Sequence, residues 1–381
     1  MAESIRKEWI QTERLVREFG ELVSIDSESF HERAMADRLR GKLEELGAQE
    51  IEEDGSAALT GSDAGNLTAY IPGVGERAAQ EPLLFSAHMD TVSPGVGKKA
   101  VRQPDGRITS YGSTVLGADD LAGVCAILEA LRVLRERNIA HRPVELLFAT
   151  AEEAYVRGSK AFDYSKLRAK EAYVLDISGP VGAASLQEPT LLSFRIEMEG
   201  RAAHAGFAPE TGIHAIAMAA KLIDKVPQGR VGDDTTVNIG TIRGGEGTNI
   251  VPPLVVMEGE IRSYADEKAR RMQERIRQLA IETAGEYGGV CRYTSQEHLR
   301  AYRVEESEPV VQRFLSVCGQ AGIPASLTKT FGGSDNNSFL AHGLRGIVLS
   351  CGMYGPHTTA EYTTVRDLEL AAQIVAGLIT A

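Results

Sequence analysis

Five stretches of this 381-residue sequence set metal-type or acid–base side chains beside apolar runs. His88 and Asp90 follow LLFSA, Glu152 and Glu153 follow LLFAT, Asp176 follows YVL, and His357 comes after IVLSC. Asp119 and Asp120 lie in GADDLAGV, at the start of a long helical pattern. Together His88, Asp119, Glu153, Asp176 and His357 offer two imidazoles and three carboxylates, a donor set suited to zinc or a similar divalent ion. Two ions sharing one carboxylate would use all five. Singly, each motif also has a plainer reading. HMD alone is a surface or capping pair, GADD is a turn whose carboxylates start a helix, and EE is a solvated pair. The position of Glu152 and Glu153 is more telling, because like charges in a crevice repel unless a cation or a proton compensates them.

The elements around these residues explain how they would meet. NLTAYI, PLLFSAHMD, VELLFATAEE and EAYVLDIS read as strands. One helix is expected over Ser4–Val23, from Ile5, Trp9, Val16, Phe19 and Val23 at helical spacing. A second opens with a capping box at Ser29 and Glu32 and runs through Met35, Leu39, Leu43 and Leu46 to a stop at Gly47. A third carries Leu121, Val124, Leu128, Leu131 and Leu134. This alternation predicts an α/β fold, a mixed, largely parallel sheet sandwiched by helices. Ligands bind such sheets outside the carboxyl ends of the strands, which would gather the five stretches on one rim.

Near Leu186 the pattern changes to strand, helix, strand, strand, helix, strand, through LLSFRIEME, Gly212–Val226, TTVNIGTIRG, LVVMEGEIRSY, Asp266–Tyr287 and VCRYTSQ. That order predicts a ferredoxin-like α+β insertion. A helix over Val310–Gly322, the strand RGIVLSCG and a closing helix over Leu368–Ile379 then resume the first pattern. The expected organisation is a discontinuous domain over 1–185 and 305–381, with an inserted domain over 186–304.

Composition narrows the function. With 41 Lys+Arg against 53 Asp+Glu, the net charge of −12 repels phosphate backbones, so no nucleic-acid partner is expected. No apolar run approaches the roughly 20 residues of a membrane span, and MAESIRKEWIQTERLVREF has no apolar signal core, so a cytoplasmic protein without a membrane partner is expected. Cys125, Cys291, Cys318 and Cys351 form no C-x-x-C pair and read as free thiols.

Set in order, SAHMDTV, DGRITSYGSTVLGADDLAGV, ATAEEAYVRGSKAFD, GRAAHAG, GTNIVP, GGSDNNSF and GPHTTAEY resemble the co-catalytic di-zinc exopeptidases and amidohydrolases, the family of peptidase T, carboxypeptidase G and the aminoacylases. The resemblance covers nearly the whole chain and is greatest to the peptidase T branch. It implies a catalytic domain of zinc exopeptidase type, an inserted lid and dimerisation domain, two Zn2+ per chain with Co2+ or Mn2+ as substitutes, and a homodimer. The implied activity is release of the N-terminal residue from short peptides, tripeptides foremost.

Residue by residue, the resemblance makes His88 and Asp176 ligands of one zinc, Glu153 and His357 ligands of the other, and Asp119 the bridge. Asp90 would orient His88, and Glu152 would be the general base. His204 in GRAAHAG would reach the partner subunit's site and stabilise an oxyanion; its plainer reading is a surface or helix-start histidine. Asn249 in GTNIVP and Arg262 in GEIRSY match substrate-contacting positions, against a turn cap and an ordinary sheet salt bridge. GGSDNNSF lacks the lysine and spacing of a P-loop and is expected to shape the substrate pocket. Leu121 stands where the branch commonly has lysine, and ISGPVG follows Asp176, so the chain is peptidase T-like. Two alternatives are a deacylase or amidase of N-acyl amino acids with the same metals, and an inactive metal-binding scaffold. A terminal-amine requirement separates the first, and loss of Glu152 or a ligand would mark the second.

Overall fold

The computed structural model of the chain describes residues 7–381. Two compact units emerge, one running to Gln187 and resuming over Arg303–Ala381, the other over Glu188–Tyr302.

The first unit begins with helices α1 (Thr12–Val23) and α2 (Arg33–Leu46). Gly47 ends α2 with φ 75°, a left-handed conformation that costs glycine nothing for want of a Cβ. Strands β1 (Gln49–Glu53), β2 (Leu67–Ile71) and β3 (Leu83–His88) follow, then α3 (Ala118–Glu136), β4 (Val144–Ala149), β5 (Glu171–Ile177) and β6 (Ala183–Ser185). After the second unit come α4 (Pro309–Ala321), β7 (Ser326–Thr328), α5 (Asp335–Ala341), β8 (Arg345–Ser350) and α6 (Val365–Thr380).

All eight strands join one sheet in the order β1-β2-β4-β3-β5-β8-β6-β7. The central β4, β3, β5 and β8 run parallel, while β1, β2 and β6 introduce antiparallel pairs. Every residue of β3 and β4 is buried, as a strand covered on both faces requires. Along α3 nearly every side chain is buried too, with α1 and α6 packed on it. The α/β expectation holds.

Two expectations about the first helices do not. The helix expected from Ser4 begins at Thr12; Lys7–Trp9 is a separate single turn, and Ser4 and Ile5 lie outside the described residues. Between them the Gln11 N–H donates to the buried Glu129 Oε1 at 2.9 Å, fixing the break against α3. Ser29 and Glu32 form no capping box, because α2 starts only at Arg33. Ser29 instead donates its hydroxyl to Asp90 at 2.7 Å, and the buried Glu32 carboxylate accepts the Phe30 and Ala151 N–H groups at 3.0 and 2.9 Å.

The second unit is an antiparallel sheet in the order Gly229–Arg230, Thr235–Gly244, Leu254–Ser263, Thr190–Glu199 and Val290–Leu299. Its helices, Ala215–Lys225 and Asp266–Glu286, complete the expected ferredoxin-like order. Alternate residues Leu192, Phe194, Ile196 and Met198 join Met218, Leu222, Met257 and Ile276 in its core, the period of two that a one-sided sheet demands. Among the described residues no helix is long and apolar enough to cross a membrane. The four cysteines are free.

Candidate metal centre

His88 is the last residue of β3, Asp176 lies near the end of β5, Glu152 and Glu153 follow β4, and His357 follows β8. Four neighbouring parallel strands therefore deliver them to one rim. Two groups of donor atoms result, His88, Asp119 and Asp176 in one, and Asp119, Glu153 and His357 in the other, each with its atoms within 4.8 Å of one another. Asp119 belongs to both. Its Oδ1 lies 3.1 Å from His88 Nε2 and its Oδ2 lies 3.3 Å from His357 Nε2. His88 Nε2 is 3.8 Å from Asp176 Oδ1, and His357 Nε2 is 3.0 Å from Glu153 Oε2.

Donors around a tetrahedral ion at roughly 2.0–2.2 Å stand about 3.3–3.6 Å apart, which these spacings bracket. Glu153 Oε1 is also buried without a hydrogen-bond partner. The residues present thus fit divalent ions. Asp119 can face both groups because it departs from helical geometry at the start of α3, with φ −82° and ψ 97°. The N-cap position is Gly117, which has no side chain to cap the helix start.

Charge in the pocket is poorly balanced. Burial, with Glu152 and Asp119 nearby, pushes Asp176 well above the usual carboxyl range. Burial and Glu153 do the same to Glu152, and burial with Asp119 raises Glu153. Asp119 goes the other way: burial opposes its ionisation, but hydrogen bonds with His357 and His88 outweigh that and hold it low. The same bonds, from Asp119 first and then Glu153, lift the His357 imidazole to about 10. Protons on imidazoles supply positive charge that these carboxylates would otherwise take from cations.

The turns carrying these groups are strained. Ala151, Tyr155, Val156 and His357 take left-handed φ values of 48°, 71°, 51° and 62°, each costing of order 1–3 kcal/mol. Two buried carboxylates hold the first turn: Glu32 accepts the Ala151 N–H, and Asp90 accepts those of Glu152 at 2.9 Å and Glu153 at 3.2 Å. His88 Nδ1 donates to the Asp90 backbone carbonyl at 2.8 Å, closer than the Asp90 carboxylate at 3.4 Å. That bond aims Nε2 at Asp119 and Asp176, where it carries a proton in the metal-free protein and would offer its lone pair to an ion.

Comparison with known proteins gives these features a family. Residues 187–288 match the peptidase dimerisation domain of the M20 family, and residues 66–216, which hold His88, Asp119, Glu152, Glu153 and Asp176, match peptidase family M28. The crystal structure of aminopeptidase PepT from Bacillus cereus is similar at 38% identity and a TM-score of 0.89, covering 98% of this chain and 99% of that one. The chain belongs to the peptidase T-like M20 peptidases. A tripeptidase from Staphylococcus aureus is similar at 33% identity and a TM-score of 0.93, with 98% of each chain covered. An uncharacterized protein, YqjE of Bacillus subtilis, is 36% identical over 97% of this chain and 98% of its own length.

In the second unit of this peptidase T-like chain, His204 sits on an exposed turn. Its Nδ1 accepts the Gly206 and Phe207 N–H groups, both at 3.1 Å, and its ring stacks on Phe207 at 4.1 Å. Nε2 is therefore the protonated nitrogen. The helix-start histidine of this unit is His214, whose Nδ1 accepts the Ala217 N–H. Asn249 is brought beside His204, its carbonyl accepting the Ala205 N–H at 3.0 Å. Arg262 is not: it lies eight residues along the strand from Leu254, roughly 27 Å at ~3.4 Å per residue. There Glu260 holds its guanidinium at 2.8 and 3.2 Å.

Sequence reasoning gave no role in the site to several buried polar groups of the peptidase T-like centre. Asp120 accepts the His88 N–H at 3.2 Å. Asp335, pushed up to about 6 by burial, keeps one carboxylate oxygen without a partner. Glu361 accepts three backbone N–H groups just before and at Asp119. Asp335 and Glu361 stood inside GGSDNNSF and GPHTTAEY; a carboxylate within a motif whose other members were already noted was the available signal.

Proposed function

We propose that the chain is a co-catalytic di-zinc aminopeptidase that releases the N-terminal residue of short peptides, tripeptides foremost, as a cytoplasmic homodimer. The observation that carries this reading is Asp119, whose two oxygens face separate donor groups beside the buried Glu152. In this reading His88, Asp119 and Asp176 hold one ion and Asp119, Glu153 and His357 the other, with Co2+ or Mn2+ able to substitute for Zn2+. The relatives' names, aminopeptidase and tripeptidase, support the same class of reaction.

Bound ions would polarise the scissile carbonyl and acidify the attacking water. Glu152, a carboxyl whose proton affinity burial has raised, takes the proton of that water and returns it to the departing amine nitrogen. Asp90 acts twice, fixing the His88 tautomer through its carbonyl and the Glu152–Glu153 turn through its carboxylate. His204, with Nε2–H outward, donates to the developing oxyanion in the partner subunit's site. Asn249 and Arg262 contact the substrate, Arg262 sharing its fork between Glu260 and a peptide carboxylate. Residues 1–185 and 305–381 form the catalytic domain and 186–304 the lid and dimerisation domain.

A panel of unblocked di- and tripeptides, N-acetylated tripeptides and N-acyl amino acids, run with the zinc-loaded enzyme, tests the reading. Unblocked tripeptides should give the highest kcat/KM, since a site built around charge partners rejects an analogue lacking the charge. Higher kcat/KM on N-acyl amino acids would replace the aminopeptidase by a deacylase.

A further inference from the structure

We propose that Glu361 is a positioning residue for the metal centre, a carboxylate clamp that holds Asp119 in its bridging place and ties the His357 loop to it. The inference rests on the two-ion reading above. Glu361 lies four residues beyond His357 and is buried, with 1% of its surface exposed. Its Oε2 accepts the N–H groups of Leu116 and Gly117, both at 2.7 Å, and its Oε1 accepts that of Asp119 at 2.9 Å. Three backbone donors on one carboxyl group make bonds at the short end of the normal range.

What these bonds hold is the part of the chain least able to hold itself. Gly117 is left-handed at φ 79°, and Asp119 and Asp120 depart from helical geometry at the head of α3. The first N–H groups of a helix have no partner within it, and no side chain of the Gly117 cap supplies one. Glu361 does so from 242 residues away in sequence. A change in the path of residues 116–119 would swing the Asp119 carboxylate, and both donor groups depend on it.

The clamp acts at its other end as well. His357 is 55% exposed and left-handed, so its loop has little packing to define it. The Tyr354–Tyr362 bridge, with backbone bonds of 2.9 and 3.0 Å, closes the base of that loop around Glu361. His357 is thereby fixed relative to the segment bearing its shared partner Asp119. The Asp119, Glu153 and His357 group has two members steered by the clamp, whereas the His88, Asp119 and Asp176 group has one. Loss of the clamp should therefore weaken the former more.

Glu361→Gln keeps the shape and one acceptor oxygen but turns an NH2 group toward a backbone donor. Zinc affinity of the full chain, measured by competition with a chromophoric chelator, should fall about 10- to 100-fold for one of the two ions, the range for losing a group that orients a ligand. The other ion should lose less. Native-state hydrogen exchange of the metal-free protein supplies the second readout, with the Leu116, Gly117 and Asp119 amides exchanging faster while those of β3 and β4 keep their protection. A purely structural glutamate would lower protection throughout the unit and leave zinc affinity of the folded fraction unchanged. Two tight ions in both proteins would overturn the clamp alone; a wild type that takes up no zinc would overturn the two-ion reading and the clamp's role with it.

Discussion

Two places in the first unit bury several charges each, and they treat them in opposite ways. Where α1, α2 and α3 meet, Glu18 is bound by Lys42 at 2.9 Å and by both Arg132 nitrogens at 3.0 Å, and Glu129 is bound by Arg14 at 2.8 and 2.9 Å. Glu129 is fully buried, and Glu18 and Lys42 nearly so. Burial raises the Glu18 carboxyl, but Arg132 and Lys42 outweigh it and the carboxyl ends below its ordinary value. At the rim of the sheet, Asp119, Asp120, Asp176, Glu152, Glu153 and Asp335 crowd together with His88 and His357 as the cationic partners within the cluster and Lys160 acting on Asp335, and all but Asp119 are raised. A protein that carries its own counterions at one buried cluster and omits them at another has left the second for something that arrives from outside.

Neutralising one member at each place should sharpen this contrast. The largest expected effect is Glu152→Gln, which should lower kcat about 10²- to 10⁴-fold while zinc content is kept. Because burial already disfavours the charged form of this carboxyl, the metal-free variant should melt no lower than the metal-free wild type. A lower melting temperature would mean that Glu152 has a counterion after all. Next is metal itself: at free zinc about 1,000 times its dissociation constant, denaturant unfolding should show about 4 kcal/mol of added stability per site, removable by chelator. No such gain would make the rim as self-sufficient as the helical cluster.

Lys42→Met should cost about 3 kcal/mol in the same unfolding assay, toward the low end for breaking a buried pair because Arg132 still holds Glu18. The folded variant should keep the wild-type kcat. The smallest effect is pH dependence from Glu18. Its carboxyl is depressed in the folded state, so its contribution is fully present above the ordinary value of 4.5 and is lost as pH falls below that. Glu18→Gln should flatten this acid limb in urea melts between about pH 5 and pH 3; an unchanged limb would show that the pairing is not what sets it.

The same contrast explains what could be read without coordinates. Apolar runs closed by His88, Glu152 and Asp176 were legible because parallel strands are continuously hydrophobic and end where polar residues begin. The ferredoxin-like order was legible from its periodicities. Buried carboxylates that grip backbone were not, since Glu32 before a helix looks like a cap and Glu361 after TTA looks like a surface residue; both act on chain more than 100 residues away. Asp90 was visible as a partner of His88, yet its grip on the Glu152 and Glu153 amides has no local signature. The helix start at Thr12 was missed because Trp9 keeps the apolar spacing while Gln11 turns aside to Glu129.

The chain leaves the first unit after Gln187 and re-enters it at Arg303, with the Val304 N–H bonded to the Leu186 carbonyl at 2.8 Å. That arrangement sets a timetable for the growing polypeptide. When the ribosome has made the segment through β6, it has already laid down His88, Asp119, Glu152, Glu153 and Asp176, yet β8, His357, Glu361 and α6 are still untranslated. The early segment would have the place for β8 between β5 and β6 vacant, and the head of α3 without its acceptor. On the two-ion reading proposed above, hydrolytic competence would arrive late in synthesis, after the whole insertion has emerged. On that reading, a nascent chain surrounded by other unfinished peptides would carry most of the centre but not the part that completes it.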